Sequence, residues 1–166
     1  LTDNKKTCLL VMDAMRFDQF LELTPMLSED YSIKMEPSLS LIPSATPYSR
    51  NAIFSGLFAD EMCELYPNQK REMIEDRGGL NNFEKEFLSD QMKKNGFSNK
   101  KMHYHKIWAA DEGKRFSSKI KDFVNNDLLA IVVNFVDQLA HRRSESDVLK
   151  EMVPDESGYR KAVSSW

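Results

Sequence analysis

Apolar positions along the chain fall into unbroken runs and helical stripes. Thr7-Cys8-Leu9-Leu10-Val11-Met12 is a short continuous apolar run, the pattern of a strand buried on both faces of a parallel sheet. Leu128 to Val136 is a longer run, rich in β-branched residues, and reads as a second such strand. Tyr31, Ile33 and Met35 alternate with polar neighbours and predict a strand, and Lys101 to Trp108 predicts another. Helical stripes recur between these runs. Phe17, Phe20, Leu21 and Leu23 predict a helix over Arg16 to Leu27, with Pro25 disturbing its end. Thr46 to Ser55 carries helix signals at both ends: Thr46 as N-cap, Pro47 at the first helical position, Gly56 closing it. Phe83, Phe87, Leu88 and Met92 form a stripe that ends at Gly96, and Phe116, Ile120, Phe123 and Val124 form another. Leu139 to Val153 reads as a helix stopped by Pro154, and Ser157 to Trp166 as a last one. Residues 57–81, broken by Pro67 and Gly78-Gly79, have no clear period and read as an insertion or lid. The alternation predicts an α/β fold with a mainly parallel sheet flanked by helices.

Composition narrows the picture. A chain of 166 residues, 41% hydrophobic, is enough for one domain with its own core. A net charge of −3 provides no field for nucleic acid or an acidic membrane. No apolar run reaches the roughly 18 residues of a membrane span, and no secretory signal opens the chain. Cys8, inside an apolar run, reads as a buried free thiol; two cysteines in a chain of this size suit a reducing compartment, and the expected location is the cytoplasm. The chain opens at Leu1 without a Met and closes in a helical pattern, so it reads as an incomplete N-terminal portion of its domain.

Chemistry is expected just past the carboxyl ends of the strands, where open α/β sheets bind ligands. Asp13 follows the first apolar run and Asp137 the last. Each suits a cation ligand, and each equally suits a helix cap. His141 stands four residues after Asp137, and the i, i+4 spacing puts both on one helix face, where carboxylate oxygen and imidazole nitrogen could share a zinc ion. The same spacing is common on ordinary helices. Thr46, at a predicted helix start before Pro47, is a routine cap; it also places a hydroxyl where a phosphate could be held. Arg16 and Arg50 lie close in sequence to these residues and read as phosphate contacts or as ion-pair partners. His103 and His105 share one face of a predicted strand, without an evident third ligand.

The order strand-Asp13, helix-start Thr46, strand-Asp137-xxx-His141 resembles the alkaline phosphatase superfamily. Leu9-Leu10-Val11-Met12-Asp13-Ala14-Met15-Arg16-Phe17-Asp18 and Pro43-Ser44-Ala45-Thr46-Pro47-Tyr48-Ser49-Arg50 look like its PglZ branch, in particular the PglZ domain fused behind a receiver in bacterial response regulators. The resemblance implies a zinc-dependent phosphoesterase, a phosphodiesterase or phosphatase acting on a phosphate ester through a phosphothreonine, in a two-component signalling protein. Thr46 would be the nucleophile and contact one of two zinc ions, Asp13 would bind that same ion, and Asp137 and His141 would bind the second.

The family pattern also needs a further Asp-His pair and one more His. No histidine follows His141, so these ligands are expected beyond Trp166, and the 166 residues alone are expected to bind zinc incompletely and to have little activity. The alternative is a non-catalytic interaction or output module of a response regulator.

Overall fold

The computed structural model describes residues 5–75, 79–142 and 146–165. In chain order the elements are β1 (Thr7–Met12), α1 (Phe17–Leu27), α2 (Thr46–Ser55), α3 (Ala59–Leu65), α4 (Pro67–Ile74), α5 (Glu84–Lys94), β2 (Met102–Ile107), α6 (Ala110–Ser118), a 3-10 turn (Ile120–Phe123), β3 (Leu128–Val133), α7 (Phe135–Arg142), α8 (Asp147–Met152) and α9 (Glu156–Ser165). They group into two compact units: Leu1–Lys5 with Pro37–Met102, and Lys6–Glu36 with His103–Trp166. The fold class is α/β, as the alternating pattern predicts.

The second unit is built on a three-stranded parallel sheet of order β1-β3-β2. β1 lies parallel to β3 from Thr7 opposite Leu128 to Met12 opposite Val133. Asn134 N–H donates to the Ile107 carbonyl at 3.0 Å, which sets the carboxyl ends of β3 and β2 side by side. β3 is central and almost wholly buried, as its unbroken run of aliphatic residues requires. One apolar cluster joins Val136 and Leu139 of α7 to Tyr159 and Val163 of α9, with Met12 and Leu23 against it. Another joins Ile107, Phe116, Ile131 and Val133. Burying each of these side chains stabilises the unit by about 1.5–3 kcal/mol. Beside the second cluster four rings stack: His103 on Phe123 at 4.2 Å, His105 on Phe116 at 4.4 Å, and Phe116 on Phe123 at 5.1 Å between centroids.

Several expectations need correction. β1 is not buried on both faces: Thr7, Cys8 and Leu10 are exposed, because among the described residues β1 is paired on one edge only. Cys8 is therefore an exposed thiol, not a buried one; partial desolvation still raises its pKa. Tyr31 to Met35 forms no strand, and both ends of that alternation are exposed. Alternation alone does not make a strand without a neighbour to complete its hydrogen bonds. β3 stops at Val133, so Phe135 and Val136 belong to α7 rather than to the strand. The stripe through Phe116 to Val124 is two pieces, α6 and the 3-10 turn, parted near Ser118-Lys119. Over the predicted Leu139 to Val153 helix, the structure has α7 and α8, and residues 143–145 between them lie outside the described residues. Pro25 is accommodated inside α1.

The first unit packs α2 against α5. Gly56 closes α2 in the left-handed conformation, φ 66°, and a Cβ there would lie 2.5 Å from the Gln91 amide nitrogen of α5. The positive φ selects glycine, and a side chain there would also have to displace the flexible end of Gln91. Deeper in the same interface Arg50 and Glu84 form a bidentate pair at 2.7 and 2.8 Å, with Arg50 5% and Glu84 0% exposed. Fork geometry makes the burial of two charges tolerable.

β1 leaves the sheet through Asp13 into Ala14, which has φ 56°. A Cβ in the left-handed region costs about 1–2 kcal/mol. Ala14→Gly is therefore expected to raise unfolding free energy by roughly 1 kcal/mol in urea titrations, part of the strain relief being lost to the unfolded chain's added entropy; a loss of stability would contradict the strain. Glu84→Gln, which leaves Arg50 buried without its charge partner, is expected to cost about 3–5 kcal/mol in the same titration. A cost below about 1 kcal/mol would mean the pair is solvated.

Candidate functional site

In the sheet unit, parallel pairing decides where Asp13 lies. Its backbone N–H donates to the Val133 carbonyl at 2.9 Å, extending the β1–β3 ladder by one bond. Asp13 thus stands at the carboxyl end of the sheet, beside Asn134, with only 7% of its surface exposed. A carboxylate that shielded is held rigidly and is costly to bury unless something positive or hydrogen-bonding meets it. This is the strand-end position expected of it.

Asp137 is not at a strand end. It is the third residue of α7, two positions after the strand-to-helix step at Asn134-Phe135. Its carboxylate sits on the first turn, where the helix dipole favours negative charge. His141 is one turn on, and its Nε2 lies 3.4 Å from Asp137 Oδ1. The i, i+4 expectation is met on one helix face. His141 is 79% exposed and the Asp137 side chain 27%, so the pair opens to solvent.

The contact is an i, i+4 ion-pair spacing, and the same distance would admit a shared cation. Two ligand bonds of about 2.0–2.1 Å at a tetrahedral angle put their donor atoms roughly 3.3–3.4 Å apart. A carboxylate oxygen with an imidazole nitrogen is a donor set that zinc accepts. Among the described residues no three His, Cys, Asp or Glu side chains come together as a complete cage. The pair can therefore supply two ligands of one ion.

Thr46 belongs to the other unit. It is the first residue of α2 rather than its cap: Ala45 occupies the cap position in an extended conformation, and no side chain caps the helix there. Pro47 follows, contributing no N–H, and the N–H groups of Tyr48 and Ser49 both reach the Ala45 carbonyl, at 3.0 and 3.1 Å. With no N–H on Pro47 and that of Tyr48 engaged, the helix start offers fewer free donors for an anion than an ordinary helix N-terminus. Alongside α2 runs a groove of about 470 Å³, walled by Leu39, Leu41, Ile53, Leu57 and Phe58.

The two arginines are ion-pair residues. Arg50 is committed to Glu84. Arg16 Nη2 lies 2.7 Å from Asp18 and its Nη1 2.5 Å from Glu156, tying α1 to α9, and Arg160 adds a longer contact to Asp18 at 3.6 Å. The hydrogen bond from Arg16 holds the Asp18 carboxyl below the usual carboxylate range, and Asp18 and Glu156 in turn raise the Arg16 pKa. His103 and His105 are taken up by the ring stack; His105 Nε2 also lies 4.0 Å from Glu112.

Some polar groups around Thr46 were not legible as part of any site. Asn81 donates to the Thr46 carbonyl at 3.4 Å, and Asn51, fully buried, donates to the Pro47 carbonyl at 2.8 Å. The signal available was Gly79-Leu80-Asn81-Asn82, a turn composition just before an acidic helix start.

No protein among the curated proteins matches the chain. A family model, described as the BREX system PglZ alkaline phosphatase-like domain, matches residues 1–164. That span takes in the β1–Asp13 strand end, the α2 start at Thr46 and the Asp137–His141 turn of α7, and the chain belongs to the PglZ family of alkaline phosphatase-like domains.

Proposed function

We propose that this chain carries part of the reaction centre of a zinc-dependent phosphoesterase that works through a phosphothreonine. The observation that supports this most is the Asp137–His141 pair at zinc-ligand spacing, in a chain of a family whose alkaline phosphatase-like members are generally metal-dependent. In this reading Asp13, Asp137 and His141 would hold the metal, and Thr46 is the nucleophile and would be a further ligand. Bound zinc would supply charge neutralisation at the phosphoryl oxygens and favour the ionised hydroxyl.

The chain's own residues then divide the work. Thr46 Oγ attacks phosphorus as its proton passes to solvent and the O–P bond forms. The bond from phosphorus to the leaving oxygen breaks, and that oxygen keeps the electron pair, takes a proton from solvent and departs as the alcohol. Water next attacks the phosphothreonine, the Thr46 O–P bond breaks, one proton of the water returns to the threonine oxygen, and phosphate leaves from a monoester substrate or a phosphomonoester from a diester. Asp13 at the rigid strand end, and Asp137 and His141 on one helix turn, provide fixed donors that need little reorganisation during these steps.

The cellular setting is a second proposal. The family description names the BREX system, whereas the segments Leu9 to Asp18 and Pro43 to Arg50 resemble PglZ domains behind response-regulator receivers. We place the chain in such a cytoplasmic two-component protein, with an upstream receiver as its partner in the same polypeptide. No helix among the described residues is long and apolar enough to cross a membrane. A non-catalytic output module remains the competing reading, and the exposure of His141 is compatible with it.

Two experiments on the full-length protein separate these readings. With zinc and aryl phosphate mono- and diesters, Thr46→Ala is expected to lower kcat by roughly a thousandfold or more, as loss of a nucleophile does; unchanged turnover would remove Thr46 from that role. Zinc content measured by atomic emission is expected to fall in Asp137→Ala and His141→Ala, with affinity reduced beyond the roughly 10–100-fold typical of outer-shell partners. Absence of both zinc and ester hydrolysis in the unaltered protein would favour the output module.

A further inference from the structure

We propose that Asn81 is a positioning residue for Thr46, acting with Asn51 to lock the first turn of α2 in place. The inference rests on the reading of Thr46 as the attacking group. The first turn of α2 has no side-chain cap, and residues 37–45 before it contain no helix or strand. Within the helix the turn is held at Ala45, whose carbonyl accepts from the Tyr48 and Ser49 N–H groups and from Ser49 Oγ; none of these bonds reaches the Thr46 or Pro47 carbonyl.

Two side-chain amides hold those two carbonyls. Asn51 Nδ2 donates to the Pro47 carbonyl at 2.8 Å and to the Leu80 carbonyl at 3.1 Å. Asn81 Nδ2 donates to the Thr46 carbonyl at 3.4 Å and to Asn51 Oδ1 at 3.3 Å. A primary amide carries two N–H hydrogens; those of Asn81 meet two acceptors, and those of Asn51 are shared among two carbonyls and the Met73 sulfur at 3.7 Å. The orientation of both amides follows from chemistry: Pro47, Leu80 and Thr46 present carbonyl oxygens, which only an N–H can face. Asn51 is fully buried, so its bonds exchange little with water.

The network ties the carbonyls of the first two helical residues to the chain at Leu80-Asn81. That chain is itself anchored three residues later, where Glu84 meets Arg50 at the start of α5. Thr46 is thereby held from both sides of its turn. The two bonds from Asn81 are long and individually weak, and the short bond of the network is Asn51 to the Pro47 carbonyl. Misplacing a reacting atom by about 1 Å can cost on the order of a hundredfold in rate.

The test compares Asn81→Ala and the isosteric Asn81→Asp with Thr46→Ala, in the full-length protein with zinc, using p-nitrophenyl phosphate and bis-p-nitrophenyl phosphate. Asparagine 81 is half-buried, so both variants should fold. The aspartate keeps the shape but turns a donor into an acceptor facing the Thr46 carbonyl. Both variants are expected to lower kcat about tenfold or more with KM within about twofold, and Asn81→Asp at least as far as Asn81→Ala. Amide hydrogen exchange across residues 46–50 is expected to quicken in both. Unchanged kcat or unchanged exchange, with Thr46→Ala inactive, overturns the positioning role and leaves the nucleophile reading standing. Full turnover in Thr46→Ala overturns the nucleophile reading, and the positioning role falls with it.

Discussion

The sheet unit depends on the register in which β1 lies along β3. Met12 opposite Val133 puts the two carboxyl ends level, and the next bond, Asp13 N–H to the Val133 carbonyl, carries the ladder one residue beyond the strand. A slip of one residue would turn every side chain of β1 to the other face. Met12 would then leave the clusters it shares with α7 and β2, and Asp13 would no longer emerge beside Asn134. The cost of ending the strand in this way is visible at once, in the left-handed Ala14. That strained residue directly follows the shielded Asp13 carboxylate.

The α2–α5 unit buries apolar side chains such as Phe54 and Phe87 and adds fixity by polar means. Arg50–Glu84 and the Asn51–Asn81 pair are buried or half-buried and satisfied by specific partners. Apolar residues of like volume could bury as much area, but they would not dictate one orientation. A bidentate ion pair and a chain of amide bonds accept only one. Such an arrangement is weak evidence for stability and good evidence for specificity of packing.

Much of this was legible in the sequence where local chemistry and tertiary packing agree. The unbroken aliphatic run of β3 announced a buried parallel strand, and Thr46 to Ser55 bounded its helix correctly because Pro47 and Gly56 have few other uses there. Where context decides, the pattern misled. β1 carries an interior composition on an exposed edge. Tyr31 to Met35 alternates like a strand with no neighbour to pair with. Asp137 looked like a strand terminus because Phe135 and Val136 are as apolar as the strand, yet they open a helix. Of the candidate site, Asp137 and His141 could be paired by spacing alone. The supports for α2 could not, because Asn51 and Asn81 are thirty residues apart and meet only through the fold.

The central claim is that Thr46 carries the phosphoryl group during turnover. Acid quenching of the full-length protein in mid-reaction, followed by peptide mass spectrometry, tests it most directly. One phosphoryl group on Thr46, absent without substrate, is the expected result. Steady turnover with no phosphoryl group on the protein, or with it on another residue, would contradict the claim.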